Sequence, residues 1–214
     1  MDRSLASVHR EYTQRGLSES QVDADPFKQF QTWFSDALAA QLTMPNAMTI
    51  ATASKDGKPS ARIVLLKSFD ERGFVFYTDY ESRKGHDLAE NPWTALVFLW
   101  AELERQVRIE GRIEQCSARE SDAYFQSRPF GSRLSACISH QSQVISSRQV
   151  LEDRLQELMV AHPNQDVARP PHWGGYRLCP TSLEFWQGRP NRLHDRLRYR
   201  LLSDGSWLLE RLSP

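Results

Sequence analysis

Residues 105–113 read Arg-Gln-Val-Arg-Ile-Glu-Gly-Arg-Ile, and this stretch is the starting point for predicting the fold. Its apolar positions alternate with polar ones, which is the period of a β-strand with one buried face. Shorter apolar runs precede and follow it, separated by turn signals such as Lys-Asp-Gly-Lys at 55–58. They predict further strands at 48–53, 62–67, 73–78, 94–100, 174–178, 183–187, 197–201 and 207–212. Many short strands punctuated by turns indicate an antiparallel barrel, closed or nearly closed.

Helices are predicted between these strands. Asp25 is a good N-cap before Pro26, and phenylalanines and leucines then recur at helical spacing to residue 42. A capping box at Ser117 and Glu120 begins a helix through about residue 126, and another is predicted over about 146–161. No Gly-x-Gly-x-x-Gly follows a strand, so a dinucleotide-binding α/β fold is excluded. The prediction is one α+β domain, residues 26–214, after a flexible arm at 1–25.

Composition limits the class of protein. The chain has 214 residues, of which 40% are hydrophobic, enough for a packed core. The polar N-terminus lacks a secretory signal, and no run is long enough to span a membrane, so a cytoplasmic protein without membrane partners is expected. Three widely spaced cysteines argue against a disulfide framework or a zinc site. Because 27 basic residues balance 27 acidic ones, a nucleic-acid partner is not expected.

Two groups of residues could bind an anion near the middle strands. The run 62–67 carries a cation at each end, Arg62 and Lys67, although solvated charge at a strand end is the ordinary interpretation. After Tyr77 and Thr78, Arg83 and Lys84 begin a short helix, where cations oppose the helix dipole. A bound phosphate would make that placement favourable, whereas chance placement is the alternative.

Two more groups lie further along the chain. Tyr124, Arg128 and Ser132 follow a spacing of four, so they would share a face and form a second anion site if one helix continued past Pro129. Arg192 and His194, two apart, would face the same side of an extended chain. Since arginines flank His194, we expect it to be neutral, although a lone histidine is usually structural.

Seven blocks of sequence, in this order, resemble the pyridoxine/pyridoxamine 5'-phosphate oxidase family. The resemblance runs from about His9 to the C-terminal Arg-Leu-Ser-Pro. The blocks are Arg-Ile-Val-Leu-Leu-Lys at 62–67, Phe-Tyr-Thr at 76–78, Ser-Arg-Lys at 82–84, Glu-Arg-Gln-Val-Arg at 104–108, Tyr-Phe-x-Ser-Arg-Pro at 124–129, Phe-Trp-Gln-Gly at 185–188 and Arg-Leu-His-Asp-Arg at 192–196.

The resemblance implies an FMN-binding split β-barrel, antiparallel and Greek-key-like with peripheral helices, that forms a homodimer with shared active sites. The FMN positions it implies are Arg62, Ile63, Val64, Leu65, Leu66, Lys67, Tyr77, Thr78, Arg83, Lys84, Gln106, Gln141, Ser142, Trp186 and Arg196. The substrate positions it implies are Lys67, Tyr124, Arg128, Ser132, Arg192, Leu193 and His194, with Arg192 and His194 as the catalytic pair. No metal is implied.

The implied reaction belongs to vitamin B6 cofactor biosynthesis and salvage. Pyridoxine 5'-phosphate and pyridoxamine 5'-phosphate become pyridoxal 5'-phosphate, O2 becomes H2O2, and the amine also releases NH3. His9 departs from the family's frequent arginine three residues before Tyr12, and His140 stands where lysine is common. The alternatives are a related flavoprotein that uses a nicotinamide donor and an arginine-rich nucleic-acid binder.

Overall fold

The computed structural model describes residues 12–13 and 16–214. Five α-helices lie in the described part of the chain: α1 Pro26–Ala39, α2 Arg83–Glu90, α3 Ala118–Ser127, α4 Phe130–Ile138 and α5 Gln149–Ala161. Nine strands accompany them in the same residues: β1 Ala47–Ala53, β2 Pro59–Leu65, β3 Ser68–Asp70, β4 Gly73–Asp79, β5 Trp93–Trp100, β6 Arg105–Gln115, β7 Trp173–Gln187, β8 Asp195–Leu201 and β9 Trp207–Arg211.

The nine strands form one sheet in the order β2-β1-β5-β6-β7-β4-β3, and β8 pairs with β7 and β9. The pairings of β3 with β4, β4 with β7, β7 with β8 and β8 with β9 are all antiparallel. Alternating burial in β6 follows the period-two pattern that the sequence predicts. The predicted class, an antiparallel sheet with peripheral helices, is confirmed.

The chain divides into two compact units. The central unit comprises Ile50–Thr94 and Gly111–Cys179, and the terminal unit comprises Met1–Thr49, Ala95–Glu110 and Pro180–Pro214. In the central unit a buried cluster joins Phe125, Leu134, Ala136, Val167 and Trp173. In the terminal unit the core contains Phe30, Trp33, Phe98, Phe185 and Tyr199. Aromatic side chains therefore dominate both cores, since each buries a large apolar area.

Several predicted boundaries were wrong. The two strands predicted at 174–178 and 183–187 are one strand, β7, although it contains Pro180. Pro180 lies between the residues that pair with β4 and those that pair with β8, so its missing N–H removes no hydrogen bond to either strand. Helix α1 ends at Ala39 rather than 42, because Gln41 has a positive φ of 53°.

The basic-ended run at 62–67 also differs from its prediction. Strand β2 begins earlier and ends at Leu65, so Lys67 lies outside the strand. Ile63 is 62% exposed, and the run is therefore not buried throughout. Helix α5 begins at Gln149, three residues later than expected, whereas α3 keeps the predicted capping box of Ser117 and Glu120.

The predicted arm lies partly outside the described residues, because residues 1–11, 14 and 15, with His9 among them, are not described. Of the arm's described part, Leu17 is buried and its N–H donates to Asp195 Oδ2 over 3.0 Å. Asp25 accepts a hydrogen bond from the Phe27 N–H and caps α1, as predicted. Among the described residues, the helices are too short or too polar to cross a membrane.

Candidate active site

A cavity of about 460 Å³ in the central unit brings together most of the predicted binding residues of that unit. Four of its lining residues are the predicted substrate-phosphate set: Lys67, Tyr124, Arg128 and Ser132. Others belong to the predicted cofactor set: Ile63, Val64, Leu65, Tyr77, Thr78, Lys84 and Gln141. Pro129 and Trp173 also line it and were not predicted. The residues of two separate sequence groups thus share one cavity.

The break between α3 and α4 shapes one wall of this cavity. The single helix considered over 124–132 is wrong: α3 ends at Ser127, and Arg128 and Pro129 adopt extended backbone angles before α4 begins. Proline disfavours helical geometry in the residue before it, which explains the break. Ser132 consequently lies in the first turn of α4, where the free N–H groups of a helix favour an anion.

Arg128 carries the least satisfied polar group of the cavity. Its guanidinium carbon lies 4.6 Å from the centre of the Trp173 ring. Its Nη1 is buried and has no hydrogen-bond partner among the described residues. Burial lowers the pKa of Arg128, but an arginine stays charged at neutral pH. A buried charged donor without a partner is rare and costly, so the site fits an anionic ligand.

Two tyrosines stack beside Arg128. The rings of Tyr77 and Tyr124 lie 3.8 Å apart at an angle of 16°. Burial raises the pKa of Tyr77 to about 12, with smaller contributions from Cys116 and Glu120. The Tyr77 phenol therefore stays protonated at neutral pH and remains a hydrogen-bond donor. The Lys67 ammonium lies 6.0 Å from the centre of the Tyr124 ring.

Lys84 supplies a second buried cation. Its Nζ donates to Thr78 Oγ1 and Gln141 Oε1, both at 2.8 Å, and to Ser82 Oγ at 3.0 Å. All three partners are neutral oxygens, so none of them compensates the positive charge. Burial lowers the pKa of Lys84 to about 8; Arg62 contributes, and Asp79 opposes the shift. This donor set at the start of α2 fits a phosphate group.

Four predicted cofactor residues of the central unit lie outside the residues that line this cavity. Arg83 is exposed, and its backbone N–H donates to Ser142 Oγ at 3.2 Å. Leu66 is 5% exposed and belongs to the core. Arg62 donates to Thr52 Oγ1 over 2.8 Å and to Ser60 Oγ over 2.6 Å, and its Nη2 lies 3.9 Å from Asp87 Oδ2 on α2. The Arg62 side chain thus contacts residues of β1, β2 and α2 and does not line the cavity.

The remaining predicted site residues lie in the terminal unit. Gln106 and Trp186 line a second cavity of about 500 Å³, together with Tyr12 and Glu104. The His194 ring lies 4.6 Å from Trp186, and the Tyr12 ring lies edge-on to both at 5.6 Å from Trp186 and 5.3 Å from His194. Gly188 leaves room for Tyr12, because a Cβ there would meet the Tyr12 ring at 2.5 Å.

Arg192 and His194 do not lie on an extended chain, so that prediction was wrong. Residues Pro190–Arg192 form a 3₁₀ turn, in which Asn191 and Arg192 have φ angles of 56° and 59°. Proline favours such a turn start because its φ is already fixed. Leu193, next to them, is 69% exposed.

His194 has the predicted direction of pKa shift. Burial lowers its pKa below the usual value, and Arg192 contributes less. Its Nδ1 accepts a hydrogen bond from the Arg189 N–H at 3.1 Å, which requires an unprotonated Nδ1. The ring is therefore neutral at pH 7.

The Arg196 guanidinium is hydrogen-bonded to two other residues of the chain, Glu184 and Ser213. Its Nε donates to Glu184 Oε1 at 2.7 Å, its Nη2 to Glu184 Oε2 at 3.1 Å and its Nη1 to the Ser213 carbonyl at 2.9 Å. Glu184 is buried and also accepts from Arg108. This pairing orders the β7–β8 region beside Trp186 and His194.

Sequence reasoning missed Trp173. The two glycines that follow it were a sequence signal for close packing at this point of the chain. A Cβ at Gly175 would meet a ring carbon of Tyr77 at 2.8 Å. Glycine at such a position indicates a close approach of another group to the backbone.

Comparisons with known proteins identify the family. Residues 34–160 match the family profile described as pyridoxamine 5'-phosphate oxidase, and residues 173–214 match the pyridoxine 5'-phosphate oxidase C-terminal dimerisation region. A pyridoxine/pyridoxamine 5'-phosphate oxidase of Trichormus variabilis is 63% identical over 214 residues, which cover all of both chains. This chain belongs to the pyridoxine/pyridoxamine 5'-phosphate oxidase family.

Other members of the family extend the comparison. The oxidase of Bordetella petrii is 59% identical over 99% of this chain and 100% of its own. Among solved structures, PhzG from Burkholderia lata, in complex with tetrahydrophenazine-1-carboxylic acid, has a TM-score of 0.88 and 32% identity, covering 94% of this chain and 99% of its own. A pyridoxamine 5'-phosphate oxidase-related, FMN-binding protein of Nostoc punctiforme shares the fold, with a TM-score of 0.70 and 18% identity over 86% of this chain and 97% of its own. The predicted split-barrel class is confirmed.

Proposed function

We propose that this oxidase-family protein uses FMN and O2 to convert pyridoxine 5'-phosphate and pyridoxamine 5'-phosphate into pyridoxal 5'-phosphate. The observation that carries the proposal is the cavity of the central unit. It contains the guanidinium of Arg128, whose buried Nη1 has no partner among the described residues, and the buried ammonium of Lys84, whose partners are neutral. Two cationic centres at one cavity fit two phosphates, one on the cofactor and one on the substrate.

The FMN phosphate is assigned to the start of α2. Lys84 and Arg83 supply positive charge there, with Gln141 and Ser142 beside them. Arg62 orients α2 through Asp87. Ile63, Val64 and Leu65, which line the cavity, would contact the flavin, and Gln106, Trp186 and Arg196 would complete the set. When bound, FMN would supply the redox chemistry that couples oxidation of the substrate's 4'-carbon to reduction of O2 to H2O2.

The substrate phosphate is assigned to Arg128, Lys67, Tyr124 and Ser132. Binding energy from this remote group orients the pyridine ring for reaction. Arg192 and His194, with Leu193 between them, enclose the ring. A neutral His194 can exchange a hydrogen bond with the reacting substituent without adding a charge beside it. The alcohol loses two electrons and two protons, whereas the amine also takes up water and releases NH3.

We further propose a homodimer with two shared active sites. In each site, Arg128 and its neighbours come from one subunit, and His194 and its neighbours come from the other. The match of residues 173–214 to a dimerisation region supports this. The terminal unit also exposes apolar side chains suited to an interface, with Leu99 68% and Leu193 69% exposed.

An oxidase assay without any nicotinamide tests the function. With FMN, O2 and pyridoxine 5'-phosphate, we expect equal amounts of pyridoxal 5'-phosphate and H2O2. Because PhzG, the protein of 32% identity, was crystallised with a phenazine acid, that acid is the matched second substrate. Turnover only with NAD(P)H, or only with the phenazine acid, would reject the proposal.

The pKa of Lys84 predicts how FMN affinity depends on pH. In the free protein Lys84 loses its proton above about pH 8, while a bound phosphate would raise its pKa. Binding then takes up a proton, so FMN affinity should fall as pH rises from 8 to 10, by at most about tenfold per pH unit. Titrating apoprotein with FMN by flavin fluorescence measures this. Lys84→Arg, which keeps its proton, should remove the dependence; a flat wild-type profile would contradict the assignment.

A further inference from the structure

The guanidinium of Arg128 lies over aromatic rings and is not paired with a carboxylate among the described residues. Its described side-chain neighbours are aromatic faces, Trp173 at 4.6 Å and Phe125 at 5.9 Å from its central carbon. No carboxylate among the described residues pairs with it, and its Nη1 stays without a partner there. A cation over an aromatic face is attracted to the ring quadrupole.

Two other arginines of this chain are held by carboxylates instead. Arg177 is 4% exposed and donates to Asp70 at 2.9 Å and to Glu120 at 3.0 Å. Arg196 pairs with Glu184 at 2.7 Å. A carboxylate uses the N–H donors of a guanidinium and cancels its charge, so an arginine held that way is a poor site for a phosphate. An aromatic face leaves the in-plane N–H groups available.

Trp173 is itself firmly placed. It is 5% exposed and begins β7, where it pairs with Asp79 of β4. Its N–H donates to the Pro170 carbonyl at 3.1 Å, and its own carbonyl accepts from Arg169 Nη1 at 2.6 Å. The ring is parallel to that of Tyr124 within 7°, at 6.2 Å between centroids. One rigid side chain thus contacts two residues of the substrate-phosphate set.

We propose that Trp173 is a positioning residue for the substrate's phosphate: it holds the Arg128 guanidinium through its ring face and leaves the charge and N–H donors of Arg128 free for the anion. This inference rests on the proposed function, because it needs Arg128 to bind that phosphate. Its effect should therefore fall on phosphate affinity and not on the chemical step.

Trp173→Phe is the primary variant, because it keeps an apolar ring in the core but a weaker cation–π partner. We expect the KM for pyridoxine 5'-phosphate and the inhibition constant of inorganic phosphate to rise by about three- to tenfold. We expect kcat to stay within about twofold, since the chemical step does not depend on Arg128. Trp173→Tyr, with a ring of intermediate strength, should fall between wild type and Trp173→Phe, and it replaces Trp173→Phe if that variant does not fold.

Trp33→Phe is the matched control. Trp33 is also a buried tryptophan beneath an arginine, with Arg105 at 4.4 Å, but it lies in the core of the terminal unit. We expect it to leave the inhibition constant of phosphate unchanged. A general effect of losing a buried indole would appear in both variants.

A double-mutant cycle separates positioning from simple packing. In an Arg128→Ala background, Trp173→Phe should not raise the KM further, because its effect acts through Arg128. Additive effects, or a fall in kcat with an unchanged phosphate inhibition constant, would overturn the inference. If Arg128→Ala itself leaves KM unchanged, the proposed phosphate site fails and the inference fails with it. If Arg128→Ala raises KM and Trp173→Phe or Trp173→Tyr does not, only the inference fails.

Discussion

Arg128→Ala is expected to raise the KM for pyridoxine 5'-phosphate by roughly 30-fold to several thousand-fold, with a much smaller change in kcat. Removing one partner of a buried charged hydrogen bond costs about 2–5 kcal/mol, and the phosphate takes no part in the bond changes at the 4'-carbon. The Nη1 atom, which has no partner among the described residues, is the donor that the substitution removes. Steady-state kinetics with the phosphorylated and unphosphorylated alcohol measure it, and only the former should change.

Two variants serve as controls for Arg128→Ala. Arg128→Lys keeps the charge but not the planar fork, so an intermediate KM is expected. Arg133→Ala removes a neighbouring arginine of α4, which donates to Gln126 and does not line the cavity, and it should leave KM unchanged. If KM is the same in wild type and Arg128→Ala, the phosphate is bound elsewhere.

Combining two impaired chains in one dimer should restore activity if active sites are shared between subunits. Arg128→Ala damages the phosphate half of a site, and His194→Ala damages the half that encloses the ring. In a heterodimer of the two, one site carries both substitutions and the other carries neither. With random exchange, about a quarter of all sites regain the wild-type set, and activity at low substrate should recover to that level.

The experiment uses the holoenzyme, co-expressed from two differently tagged chains. Each variant paired with itself should stay impaired and still bind FMN. A mixture no more active than the average of its parents would show that each site uses one chain alone. Full activity of His194→Ala by itself would instead remove His194 from the site.

The strands and their antiparallel class could be predicted because apolar periodicity is local. The alternation in Arg105–Gln115 and the cap of α1 at Asp25 are properties of neighbouring residues. Strand boundaries that depend on pairing were harder to predict: Pro180 favours the end of a strand by local propensity, yet β7 continues past it because β4 pairs before Pro180 and β8 pairs after it.

One part of the candidate site could be predicted because its residues oppose the stability of the helix that carries them. Lys84 and Arg83 stand at a helix start that disfavours cations, and the structure gives Lys84 three neutral partners there. The Arg128–Trp173 contact could not be predicted in this way, since 45 residues separate its partners and no spacing rule relates them. The turn at Asn191 and Arg192 was missed because positive φ angles at such residues are rare.

In the proposed function, the cavity holds a flavin and a phosphorylated vitamin ring in reacting contact. Anaerobic mixing of the FMN-loaded protein with pyridoxine 5'-phosphate tests it most directly. We expect the visible flavin absorbance to bleach without any nicotinamide and to return on admitting O2, with an equal amount of H2O2. A flavin that stays oxidised with saturating pyridoxine 5'-phosphate, or that bleaches only after NAD(P)H is added, would contradict the claim.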